Sequence, residues 1–251
     1  MTLPALTLWF PFLVAFGALV VAQWLVTQVV IGFFFRITHN PALAMLTYAL
    51  IVWPGTVLHE LAHWVVARLL GVRARLPYLL PSGMDKQGRM VLGHVVVQRS
   101  DVIRRALIGV APFVVGSATV ALLAHRAFAL PIPAINATGI GGLATLVAAL
   151  PAIWQTPNAW LYLYLLFSFA NGMMPSPSDR EAWPVVLLFA LLIAALIFLF
   201  VGVPQVPASV ARGALRAAAW LTFAFSVTVL LNAALLLLVW PLERLLWLLG
   251  R

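Results

Sequence analysis

Long apolar runs dominate this chain and restrict it to folds that live in a bilayer. A membrane-spanning helix needs about 20 predominantly apolar residues to cross roughly 30 Å of hydrocarbon. Runs of that order recur at roughly 7–35, 41–71, 105–128, 157–173, 184–203 and 213–240, separated by charged residues and Pro/Gly breaks. They lack the two-residue alternation of a membrane barrel strand. The expectation is an all-α polytopic membrane protein with about six transmembrane helices, forming one domain over residues 1–251. Composition agrees, with 64% of residues hydrophobic, 8% charged and a mean hydropathy of +1.08; soluble domains are apolar in nearer half of their residues. No Lys or Arg precedes Arg36, so the first run lacks the charged start of a signal peptide and reads as an anchor.

Proline and charge refine this plan. Pro54-Gly55 is the natural break in the long second run, because proline removes a backbone donor. The segment 142–153 is short and ends near Pro151, which makes it re-entrant, interfacial or the start of a broken fourth span. If the chain changes sides after every span, one side carries Arg68, Arg73, Arg75, Lys86, Arg89, Arg99, Arg104, Arg105, Arg180, Arg244 and Arg251. The other carries Arg36, Arg126, Arg212 and Arg216. The positive-inside rule then puts the N-terminus, the 72–104 connection and the C-terminus in the cytoplasm, in a protein of the cell membrane. The net charge of +9 flanks apolar spans and forms no aromatic-interleaved soluble face, so anionic lipid headgroups are the expected partner and nucleic acid is not.

The connection 72–104 has the chain's one stretch of strand character. "MVLGHVVVQ" is β-branched, and "PSGMDKQG" supplies turn residues, which predicts a β-hairpin at the membrane surface. Its open edge, within Met90 to Gln98, is suited to accept an extended peptide as an added strand.

The stretch "TVLHELAHWVVARLLG", Thr56 to Gly71, sets polar chemistry inside hydrocarbon. On a helix, His59 and His63 share one face about 6 Å apart along the axis and can reach one ion. Zinc lowers the pKa of a bound water to about 7, and Glu60 stands beside the histidines where it can take that water's proton. Ionisable groups at membrane depth are costly and mark function by default. Zero cysteines exclude thiolate ligation and disulfides, so a third ligand must be His, Asp or Glu. Asp179 is the candidate, in the proline-punctuated "FANGMMPSPSDREAWP", with His94 and Glu181 in reserve. Zinc with ionised Asp179 and Glu60 sums to no formal charge, which makes burial tolerable.

These residues give the chain its resemblance to the site-2 protease family of intramembrane zinc metalloproteases. That family carries HExxH in one membrane helix and, on a later one, Asn-x-x-Pro followed by an Asp-Gly pair whose aspartate is the third ligand. Asn171 precedes Asp179 by eight positions, as in the common form of that motif. The resemblance implies that His59, His63 and Asp179 bind zinc, that Glu60 is the catalytic base, and that Asn171 holds the substrate backbone or oxyanion. It implies hydrolysis of peptide bonds in or near transmembrane segments of membrane-protein substrates. It extends to the six-span plan, the hairpin after HExxH and the small-residue stretch "ALIGVAPFVVGS". The chain departs from the pattern at Pro175, one place later than usual, and at Arg180, which replaces the glycine after the aspartate.

Other features have plainer readings. His39 and His125 lie near span ends, several tryptophans fit an interfacial belt, Met173 and Met174 suit packing, and "GIGGLATLVAAL" suits close helix approach. A catalytically silent, zinc-stabilised scaffold that binds transmembrane partners is the main rival function, but such a site would not need Glu60. A transporter would need more membrane acids than this chain has.

Overall fold

The computed structural model describes residues 3–81, 83, 90–130, 148, 150–202 and 207–249. Helix α1 (Leu3–Thr38) ends where His39 turns left-handed at φ 51°. Asn40 then caps α2 (Pro41–Ile51), its Oδ1 accepting from the N–H groups of Ala42 at 2.9 Å and Leu43 at 3.2 Å; this satisfies two donors that the helix start leaves open. Helix α3 (Trp53–Leu69) follows α2 at a bend of 70°. The break falls at Val52, two residues before Pro54, as expected when a proline lacks the N–H for the preceding turn. Helix α4 (Val102–Phe128) starts at Asp101, whose side chain accepts from the Arg104 N–H. That bond holds the exposed Asp101 carboxyl below the usual carboxylate range. Helices α5 (Leu150–Trp154), α6 (Ala159–Gly172), α7 (Trp183–Val201) and α8 (Ala208–Leu249) complete the helical set among the described residues.

Helices α1, α4, α6 and α8 converge on one core, where Leu19, Val120, Leu166, Met173, Phe223 and Phe225 are fully buried. Phe12, Phe113 and Phe225 meet there, and the exposed Phe16 packs on them from the edge, with ring centroids 5.6–6.5 Å apart. Helix α3 packs on α4 and α6. At the α3–α6 contact a Cβ on Gly55 would strike the Ser168 carbonyl, and one on Gly172 would strike the Gly55 backbone. Two helix backbones meet here because neither glycine carries a side chain.

The structure departs from expectation in three places. Among the described residues, four helices are long and apolar enough to cross a membrane, or five if the bent α2–α3 pair counts as one span. The expected span at 157–173 is α6, whose 14 residues rise only about 21 Å. Pro175 and Pro177 follow and prevent its continuation.

The second departure concerns orientation. Phe12 and Phe16 of α1 lie against Phe225 of α8, and Arg36 pairs with Glu243 at 2.6 Å. The two helices therefore run the same way, so Arg36 and Arg244 sit at one end, and Leu3 and Leu249 lie at opposite ends. Alternation over six spans puts both termini on the cytoplasmic side, and the parallel pairing lends that placement no support.

The third is the hairpin. Among the described residues no continuous strand forms; Ala74 and Val97, and Tyr78 and His94, make isolated antiparallel bridges. Arg75 N–H donates to the Val96 carbonyl, while Tyr78 and His94 exchange both bonds. Leu76 and Pro77 thus stand opposite Val95 alone, a one-residue slip that spares Pro77 a ladder bond it has no N–H to make. The turn at residues 84–89 and most of 142–153 lie outside the described residues.

Candidate metal centre

Helical spacing puts His59 and His63 on one face of α3, their ring centroids 4.8 Å apart. Each ring is oriented by a neighbouring helix. His59 Nδ1 meets the Gly172 carbonyl at 2.7 Å, and His63 Nδ1 meets the Ile108 carbonyl at 2.8 Å. A carbonyl only accepts, so each Nδ1 carries a proton, and in the neutral imidazole each Nε2 then presents a lone pair. The two Nε2 atoms lie 3.1 Å apart.

Asp179 closes the group. Its Oδ1 lies 3.1 Å from His63 Nε2 and its Oδ2 lies 3.4 Å from His59 Nε2. Donor atoms from all three residues fall within 4.8 Å of one another. With both imidazoles neutral and the Nδ1 protons turned outward, three electron-rich groups face each other. A cation at their centre removes that repulsion, and zinc fits. Bonds of about 2.0–2.2 Å in tetrahedral array separate ligand atoms by roughly 3.3–3.5 Å, near the 3.1 Å between the two Nε2 atoms and the 3.1 and 3.4 Å from them to separate oxygens of Asp179. Outward Nδ1–H bonds to backbone carbonyls are also the usual outer support of zinc-bound histidine.

The loop after α6 aims the carboxylate. Ser176 N–H donates to Asp179 Oδ2 at 2.6 Å, and the Asp179 N–H returns to Ser176 Oγ at 3.3 Å. Arg180, the departure from the family pattern, sits without strain: among the described residues the non-glycine positions with positive φ are His39, Ala129 and Asn158. Glycine is therefore not required after Asp179. The side chains of His59 and Asp179 are each 12% exposed and that of His63 9%.

Glu60 is buried beside the histidines. Gly93 of the bridged connection lies directly on it, so that a Cβ there would come within 3.0 Å of Glu60 Cγ and 3.2 Å of Thr56 Cγ2. The reserve ligands stand apart. His94 is exposed and stacks on Tyr78 with centroids 5.4 Å apart, and Glu181 is exposed; neither joins the three-residue group. Met173 packs, with Ser117 Oγ donating to its sulfur at 3.5 Å, and His125 caps the end of α4 through the Leu130 carbonyl.

Asn171 bonds within the protein. Its Nδ2 donates to the Phe167 carbonyl at 2.8 Å and to Asn232 Oδ1 at 3.0 Å. Both amide hydrogens are thereby engaged, leaving neither for a substrate carbonyl or oxyanion in this arrangement. Its partner Asn232 was not singled out in the sequence, although a lone amide in the apolar run "VTVLLNAALLLL" carries the signal of a polar group at membrane depth.

Gly109 is a second residue that sequence reasoning left unnamed. A Cβ there would land on the Asp179 carbonyl oxygen, and one on Gly116 would strike Met173. These gaps in α4 let the ligand loop approach α3. Gly109→Ala is expected to displace Asp179 and, where the group holds zinc, to lower its affinity by about 10–100-fold, as loss of a ligand's outer support does. Competition with a chromophoric chelator measures this. Gly213→Ala on α8, where a Cβ meets nothing within 4 Å, should leave affinity unchanged.

No protein-family model matches the chain, and neither a curated protein nor a solved structure matches it.

Proposed function

We propose that this chain is a zinc-dependent intramembrane endopeptidase of the site-2 protease kind. One observation carries the reading: His59, His63 and Asp179 converge on a point within a helical, membrane-type fold, with both Nδ1 protons turned away and Glu60 buried alongside. When bound, zinc supplies a Lewis acid that polarises a carbonyl and brings the pKa of a coordinated water to about 7. Glu60 takes a proton from the attacking water and passes it to the leaving amine. The Gly172 and Ile108 carbonyls keep the two imidazoles in the tautomer that presents Nε2, and Ser176 holds the carboxylate.

The substrate in this reading is a membrane protein whose transmembrane segment unwinds locally. Residues 94, 96 and 98 use their backbone toward 73–78, so alternation turns Val95 and Val97 toward the other edge, where an extended substrate would add. Hydrolysis at depth also requires a polar route for water. The basic residues around 68–105 face anionic headgroups, which suits a cytoplasmic position for this connection.

The test is cleavage of a purified single-span substrate in detergent. Chelation should reduce cleavage to background and zinc should restore it. Cleavage that persists after the metal is stripped would defeat the proposal, as would a protein that takes up no zinc.

A further inference from the structure

The last turn of α6 is held from three other helices. A helix leaves its final carbonyls without partners of its own, and here they lie in the apolar interior beside the metal centre. The Ala170 carbonyl accepts from Gln23 Nε2 of α1 at 2.6 Å. The Gly172 carbonyl accepts from His59 Nδ1 of α3 at 2.7 Å. Between them, Asn171 and Asn232 of α8 exchange amide bonds at 3.0 and 3.4 Å. Gln23 is 8% exposed and Asn232 is fully buried. Buried amides are costly in an apolar interior unless paired, and both of these direct their pairing to the same helical turn.

We propose that Gln23 and Asn232 are positioning residues of the metal centre. By fixing the last turn of α6 against α1 and α8, they hold the Gly172 carbonyl where it takes the His59 Nδ1 proton and turns Nε2 toward Asp179 and His63. The inference rests on the metal reading above and extends it to helices that carry no ligand. Ala170 and Asn171 immediately precede Gly172, so a rotation of this turn moves the acceptor directly. A shift of about 1 Å would take the bond to His59 out of hydrogen-bond range. The ring could then flip or exchange tautomers, and the ligand set would lose its alignment. The same contacts leave the Asp179 loop untouched, so the effect should be specific to His59.

The test compares Gln23→Leu and Asn232→Leu with wild type by two measurements. Imidazole nitrogen NMR shifts of the metal-free protein report the His59 tautomer, and chelator competition reports zinc affinity. Wild type should show the Nδ1–H form; each variant should show a mixture of tautomers and bind zinc roughly tenfold more weakly. Thr228→Val is the control, since that buried hydroxyl bonds only its own helix, to Ala224, and both readouts should stay at wild type. Gln23→Met, which keeps the side-chain length without the amide, replaces a leucine variant that does not fold. Wild-type tautomer and affinity in both amide variants would overturn the proposal. A His59 tautomer that depends on Gln23 in a protein that takes up no zinc would uphold the positioning and overturn the metal reading instead.

Discussion

Asp179→Ala should leave purified protein with far less than one zinc per chain and no measurable cleavage. Asp179 supplies the carboxylate of the three-residue group, and its removal leaves two imidazoles with Nε2 atoms 3.1 Å apart and nothing to complete the set. Apparent zinc-binding energies of about 10–16 kcal/mol over four ligands put each ligand near 2.5–4 kcal/mol. Loss of one therefore weakens binding by roughly two to three orders of magnitude. The fold should survive, because Gly109 and Gly116 still seat residues 173–179 through backbone and Met173 contacts, and hydropathy still drives insertion. Asp179→Asn is the informative companion. Its amide oxygen can accept from the Ser176 N–H, so the loop keeps its shape while the site loses its negative charge, and zinc affinity should fall between the two. Metal content by mass spectrometry with chelator competition decides the matter. Stoichiometric zinc in Asp179→Ala at wild-type affinity would assign the third ligand elsewhere.

The parts of this centre that a sequence can express are those written in side-chain identity and short spacing. His59 and His63 are four apart on a helix, and Asp179 is an acid in a loop that interrupts apolar sequence; the structure brings all three together. The supports are less legible because every residue has a carbonyl. Nothing in Ile108 or Gly172 as a residue type announces that it will take an imidazole proton, and only the packing of α4 and α6 on α3 reveals it. Gly109 is readable as a small residue but not as the seat of the Asp179 backbone. Gln23 and Asn232 did carry a signal, since each is an amide in an apolar run, but their partners lie 147 and 61 residues away.

The errors at the level of fold have the same origin. Counting charges over spans assumes that each apolar run crosses the bilayer once, but α6 is too short to cross as a straight helix, and Arg36 meets Glu243. The β-branched run 95–97 has strand propensity, yet the partner it pairs with contains Pro77, and the slip there keeps the bridges isolated. In both cases a long-range contact overrides a local pattern that is correctly read.

Glu60→Gln should retain zinc at wild-type affinity and lower turnover by about 10²–10⁴-fold, the usual contribution of a positioned general base. The three-residue group does not include Glu60, so removing its charge should leave the ligands in place. The substitution is also sterically quiet. Gly93 lies against the Glu60 Cγ methylene, which glutamine keeps, and the amide occupies the volume of the carboxylate. What it lacks is the capacity to take a proton from the attacking water. This separation of metal from rate is what distinguishes an enzyme from a zinc-stabilised scaffold. A scaffold would bind transmembrane partners equally well with either side chain and would hydrolyse with neither. A protease carrying Glu60→Gln should bind substrate and accumulate it uncut. Parallel measurement of zinc content and single-span substrate cleavage for wild type and Glu60→Gln makes the distinction. Cleavage by the variant within tenfold of wild type, at full zinc occupancy, would exclude Glu60 as the base and require another group to move the proton.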